Sequence, residues 1–313
     1  MTQPIIFDTD PGIDDAMALA FAHLSPDLEL VGVTTTFGNG TIEQTTANAV
    51  LLQQRFGLDC GVYKGAGTPV AIAPEEPPTF VHGHDALGDT GMEIPPAPAL
   101  PDAVGFIVDT VRSRPGEISI VAVGRMTNLA RALEVAPDIA DKVKSVVIMG
   151  GVLGHTGIVG NVTPVAEANI YGDPHAADQV MCAPWPLVMV GLDVTMRTIM
   201  TDQLIKQMSQ HSELGAFLGQ VCAYYQNFYR TVLNREGIPV HDSLAVAYLL
   251  APDLFETKTG GLRVVTEGLA VGQTMMASRD YPSIDWHRVP PKDACIGVKD
   301  QHVLDLYMET MLR

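Results

Sequence analysis

The chain has 313 residues, 47% of them hydrophobic and 18% charged, which is enough apolar material for a large core and unlike a disordered sequence. Lys and Arg number 19 against 36 Asp and Glu, a formal charge of −17, so nucleic acid and anionic membrane surfaces are poor partners. Cys60, Cys182, Cys222 and Cys295 are far apart with no CxxC pair, which excludes a common zinc spacing and a dense disulfide framework.

The N-terminus, MTQPIIFDTDPG, reaches acids too early for a secretory signal, and no apolar run approaches the ~20 residues of a membrane helix. A cytoplasmic protein is expected. An apolar run at 4–7 ends in Asp8-Thr-Asp-Pro-Gly12, a strand and its turn, and helix formers follow at 14–24. Residues 28–36 read as a β-branched strand and 41–56 as a helix. A Pro- and Gly-rich stretch at 65–101 reads as one long surface loop, a type that is usually functional.

The alternation resumes with strands at 118–123, 143–149 and 186–190, and helices at 128–135 and 175–181. Residues 201–250 are helical in pattern; short strands are expected at 262–265 and 269–275, and a closing helix at 303–312. Strands that are apolar throughout are covered on both faces. The expected fold is a single α/β domain over 1–313, with a mostly parallel central sheet flanked by helices.

Chemistry concentrates in Asp8-x-Asp10-Pro-Gly-x-Asp14-Asp15. Helix capping accounts for Asp14 and Asp15 but leaves Asp8 and Asp10 unexplained. Carboxylates this close repel unless a cation lies among them, and an all-oxygen set suits Ca²⁺ or Mg²⁺. His241-Asp242 opens a later apolar helix, where Asp242 can be a cap or a ligand and His241 an acid with a pKa near working pH. Asn161, Glu167 and Asn169 follow the strand ending at Met149, and can either bind several hydroxyls or be ordinary loop polarity.

These stretches resemble the inosine–uridine-preferring nucleoside hydrolase family. The resemblance runs through DTDPGIDDA at 8–16, FGN at 37–39, HGHDALGD at 82–89, VGRMTNLA at 123–130, MGG at 149–151, NVTPVAEANIYGDPHAA at 161–177 and HDSLAVA at 241–247. It implies an open Rossmann-like fold and hydrolysis of ribonucleosides to ribose and free base. It implies a Ca²⁺ held by Asp10, Asp15, Asp242 and the Val123 carbonyl, with Asp10 also taking the proton from the attacking water. Asp14, Asn161, Glu167 and Asn169 are implied as ribose contacts supported by Asn39, with Met149 lining the sugar pocket. His82 and His241 would face the base, Asp8 would support the ligands from behind, and Tyr225 or Tyr229 could stack on the base. A small-molecule ribonucleoside is the implied partner, and a homotetramer or homodimer the implied assembly.

Two positions depart from the pattern: Ala168 stands where an aromatic is common, and Arg125 where Pro or Gly is common in the turn. Two other readings start from the same residues. A haloacid-dehalogenase-like phosphatase would need a late acidic pair and a separate lysine, and no convincing acidic pair follows the middle of the chain. A calcium-dependent sugar- or nucleoside-binding protein would keep the sugar contacts without turnover.

Overall fold

The computed structural model describes residues 2–279, 281, 283 and 285–313. Strand β1 (Gln3–Thr9) leads into helix α1 (Ile13–Leu24), then β2 (Leu28–Thr35), α2 (Ile42–Phe56) and β3 (Gly61–Lys64). A short α3 (Thr79–His82) and α4 (Ala103–Ser113) precede β4 (Ser119–Ala122), α5 (Thr127–Val135) and β5 (Ser145–Met149). Next come α6 (Ala168–Gly172), α7 (Pro174–Cys182), β6 (Leu187–Val190) and α8 (Leu192–Thr195). A ribbon of β7 (Ile199–Met200) and β8 (Ile238–Pro239) brackets α9 (Asp202–Ser209) and α10 (Glu213–Thr231). The chain closes through α11 (His241–Leu250), β9 (Phe255–Val264), β10 (Thr274–Ala277), β11 (Pro291–Val298) and α12 (Asp300–Met311).

Nine of these strands form one sheet in the order β10-β9-β11-β6-β5-β4-β1-β2-β3. All pairings from β3 across to β11 are parallel, and only β9 and β10 join antiparallel. Alternate residues of each strand face opposite layers, so Ile5 and Phe7 pack beneath α1 and α11 while Ile6 packs on the α5 and α7 side. Both layers are apolar and mainly aliphatic, as expected for strands without a polar face.

The order 3-2-1-4-5-6 within the sheet is doubly wound, and its direction of winding reverses between β1 and β4. At such a switch point the two following helices lie on opposite faces, which opens a crevice beyond the carboxyl ends. Asp10 follows β1 and Val123 follows β4, so the chain direction alone places both at the mouth of that crevice.

Several expectations need correcting. The predicted strand at 269–275 fails because Leu269 is fully exposed at a turn (103%), and the strand begins only at Thr274. Strand β9 starts at Phe255, well before 262. Helix α4, β3 and β11 were not foreseen, and the 65–101 stretch contains the single turn of α3. Among the described residues no helix is long and apolar enough to cross a membrane.

Candidate functional site

A cavity of about 570 Å³ opens over the switch point. Asp14, Asn39, His82, Val123, Met149, Asn161, Glu167, Asn169, His241 and Asp242 all line it, although they come from segments spread over most of the chain. Asp10 and Asp15 lie beneath its floor, each about 1% exposed.

The floor is held by backbone amides and short polar side chains. Asp15 caps α1 by accepting the Gly12 N–H at 2.9 Å, and it also accepts from Asn39 Nδ2 at 2.8 Å, the Asp10 N–H at 3.3 Å and the Thr9 hydroxyl. The capping role and the clustered-acid role thus fall on the same carboxylate. Asp10 Oδ2 accepts from the Asn39 N–H at 2.8 Å and from Arg125 Nη1 at 2.9 Å, while Asp10 Oδ1 is buried without a partner among the described residues. Asp8 faces away from the cavity. Its Oδ1 accepts from Thr34 and from Asn128 Nδ2 (2.7 Å), so it ties β1 to β2 and α5 from behind the floor.

Oxygens of Asp14, Asp15 and Asp242 all lie within 4.8 Å of one another. This close trio contains Asp14, with Asp10 alongside it. Burial raises the carboxyl pKa of Asp10 and Asp242 well above normal, and the neighbouring carboxylates raise both further. Asp14 is pushed up to about 8, by burial and then by Asp15. Asp14 Oδ1, like Asp10 Oδ1, is buried and has no partner among the described residues. A crowd of all-oxygen donors with orphaned lone pairs fits a hard divalent cation, and no His or Cys belongs to the trio.

On the side wall, Glu167 caps α6 by accepting from the Asn169 and Ile170 N–H groups, and it reaches the Gly151 N–H at 2.9 Å. Asn169 Nδ2 donates to the carbonyls of Val123 (2.7 Å) and Met149 (3.2 Å), which joins the ends of β4 and β5. Asn161 Oδ1 accepts from the Ala168 N–H at 3.1 Å.

The opposite wall is aromatic. The His82 ring stacks on Tyr225 with centroids 5.5 Å apart, and its Nδ1 accepts from the Ile13 N–H at 3.4 Å. The Tyr225 hydroxyl meets that of Tyr229 at 3.4 Å, Tyr229 meets His241 Nε2 at 3.1 Å, and His241 Nδ1 meets Thr195 Oγ1 at 2.8 Å. Burial lowers His241 to about 4 and His82 to about 3. Burial thus holds His241 below the pKa near working pH that the sequence suggested, with the Tyr229 and Thr195 hydroxyls at its ring nitrogens.

Sequence reading missed Thr195, a single hydroxyl at the end of a short helix that carries no local signal. It also treated Arg125 as a turn residue, whereas its side chain is buried in an ion pair with Asp10.

Residues 5–305 match the family model described as inosine-uridine preferring nucleoside hydrolase. The chain is 38% identical over 275 residues to a protein named probable uridine nucleosidase 1 from Oryza sativa subsp. japonica, covering 87% of this chain and 84% of that one. It is 36% identical over 281 residues to a non-specific ribonucleoside hydrolase of Escherichia coli (strain SE11), covering 90% of each. A solved plant nucleoside hydrolase superposes with a TM-score of 0.94 at 33% identity, covering 100% of this chain and 99% of the other. A purine-preferring ribonucleoside hydrolase from Gardnerella vaginalis superposes at 0.90 and 34% identity, covering 99% and 98%. Such enzymes cleave the N-glycosidic bond of ribonucleosides, and this chain belongs to the inosine-uridine preferring nucleoside hydrolase family.

Proposed function

We propose that this enzyme hydrolyses ribonucleosides to ribose and free base with a Ca²⁺ bound at the acidic floor and Asp10 as the general base. The observation that carries the reading is the set of buried, mutually repelling carboxylates around orphaned oxygens of Asp10 and Asp14, at the bottom of a nucleoside-sized cavity. Asp15, Asp242, Asp10 and the Val123 carbonyl would hold the ion. When bound, a hard dication lowers the pKa of a water and orients it.

Asp10 takes the proton of the attacking water, because its Oδ1 has no competing donor. Asp14, Asn161, Glu167 and Asn169 bind the sugar hydroxyls, and Met149 packs against the ring. Positive charge that builds on the ribosyl centre is stabilised by Asp14 and Glu167 on either side of the floor. The base lies against His82, Tyr225 and Tyr229. The departing base takes its proton from His241, another acid or water. Names of the relatives range from uridine nucleosidase to purine-preferring hydrolase, so the wall residues of this chain set its own preference.

The test is reducing-sugar release from inosine, uridine, adenosine, guanosine and cytidine, with and without a strong calcium chelator. Release that falls on chelation and returns with Ca²⁺ is expected. Asp10→Asn should cut kcat by about 10²–10⁴-fold, the range of a general base, with a much smaller change in KM. Turnover near wild type in that variant would remove Asp10 from the role. Binding of intact nucleoside without release would favour a binding protein.

A further inference from the structure

Building on the site just proposed, we infer that Arg125 is a positioning residue that aligns Asp10 and sets how tightly the floor holds its divalent cation. The Arg125 side chain is only 10% exposed. Its Nη1 donates to Asp10 Oδ2 at 2.9 Å and to Asn169 Oδ1 at 3.4 Å. Asn39 adds its N–H to the same Asp10 oxygen. A carboxylate held by two donors at one oxygen presents the other in a single direction, and that other oxygen is the orphaned Oδ1.

Space for the guanidinium is built into the backbone. A Cβ on Gly172 would sit 2.4 Å from Arg125 Nε, and one on Gly38 would sit 2.3 Å from Nη1. Through Asn169 the same group is linked to the Val123 and Met149 carbonyls. One arginine therefore connects the carboxyl ends of β1, β4 and β5.

A guanidinium stays charged at every relevant pH. Asp10, Asp14, Asp15, Asp242 and Glu167 outnumber it, so it cannot neutralise the floor alone. Both positive charges then share Asp10, and like charges on one carboxylate repel. Arg125 thus weakens the hold on the ion while it keeps the base oriented. Repulsion from a dication outweighs the ordering it supplies, because Asp10 retains the Asn39 N–H when Arg125 is removed.

The experiment titrates Ca²⁺ alone into metal-stripped wild type, Arg125→Met and Arg125→Lys by calorimetry, and measures kcat and KM on a nucleoside the wild type hydrolyses. Arg125→Met should bind Ca²⁺ about tenfold tighter, or about 1.4 kcal/mol. Its kcat should fall roughly tenfold or more with KM changed less than about threefold, the signature of lost alignment rather than lost binding. Arg125→Lys keeps the charge, so its Ca²⁺ affinity should stay within about threefold of wild type while kcat recovers only in part. Unchanged or weaker Ca²⁺ binding in Arg125→Met would overturn the inference, as would a lysine variant that matches the methionine one. If Arg125→Met shows no cooperative unfolding, the lysine variant decides: wild-type affinity with reduced kcat supports the role, and tightened affinity refutes it. Wild type that takes up no Ca²⁺ would overturn the calcium reading itself.

Discussion

Asp242→Asn separates charge from shape at the acidic floor. Asp242 is 3% exposed and has an oxygen within 4.8 Å of oxygens of Asp14 and Asp15. At that spacing and an effective dielectric constant of about 20, each pair of unit charges repels by about 3.5 kcal/mol. The metal-stripped protein relieves part of this by taking up protons, since burial and then Asp14, Asp15 and Asp10 raise the Asp242 pKa. Asparagine removes one charge at nearly constant volume, and a net gain of about 1–3 kcal/mol remains. An unfolding entropy of about 2.1 cal/mol/K per residue converts that gain into a Tm rise of roughly 2–5 °C in chelator.

Calcium should reverse the ranking. Wild type in a thousandfold excess over Kd gains about 4 kcal/mol, worth roughly 6 °C, and the variant gains far less because a ligand is gone. Scanning calorimetry of both proteins in chelator and in Ca²⁺ therefore gives curves that cross: the variant melts higher without the ion and lower with it. A variant that melts lower in chelator would mean that Asp242 is not repelled by its neighbours. A calcium shift as large as the wild type's would mean that Asp242 is not a ligand.

Three further outcomes follow from other parts of the site. Tyr229→Phe removes the hydroxyl between Tyr225 and His241, so kcat should fall about 10–100-fold while calorimetric Ca²⁺ uptake is unchanged. Asp8 has a folded pKa raised by burial to about 7 from 3.8, so its contribution is full below pH ~4 and is lost as pH rises through about 7. In chelator, urea titrations should show wild type losing up to about 4 kcal/mol across that window relative to Asp8→Asn, and equal slopes would refute the assignment. Asp193 accepts from the N–H groups of Leu153 and His155, each at 2.7 Å, and Asp193→Ala should loosen this cavity-side segment and raise KM more than it lowers kcat in steady-state kinetics.

The parallel half of the sheet was legible because strands buried on both faces must be apolar throughout, and PIIF, ISIVAV and SVVIM have no other use. Strand β11 was not legible: PKDACIGV contains Pro, Lys and Asp, which read as loop. Its Lys292 is nevertheless buried, donating to the carbonyls of Ala183 (2.6 Å) and Trp185 (2.7 Å) just beyond α7, a partnership visible only in three dimensions. Strand β3 has four residues, too few for periodicity to show. Of the site, the acidic run at 8–15 is local and so announces itself. The Arg125 pair with Asp10 spans 115 residues, and Thr195 reaches His241 across 46, so their roles depend on topology rather than on motif.

The cavity divides into two electrostatic halves, and the division follows from the fold. Carboxylates collect at the β1–β4 switch point, where the first turn of α1 and the start of α11 face the same crevice. The wall from α10, α3 and the start of α11 is aromatic, and burial pushes the pKa of its two histidines down. The proposed reaction, which builds positive charge on a sugar and releases an uncharged base, suits this asymmetry. The floor must be negative where charge develops, and the wall must move a proton without holding a charge beside the base. A permanently protonated His241 would stabilise an anionic leaving group, but it would also attract the floor carboxylates proposed to hold the ion. Keeping His241 among the Tyr229 and Thr195 hydroxyls avoids that conflict.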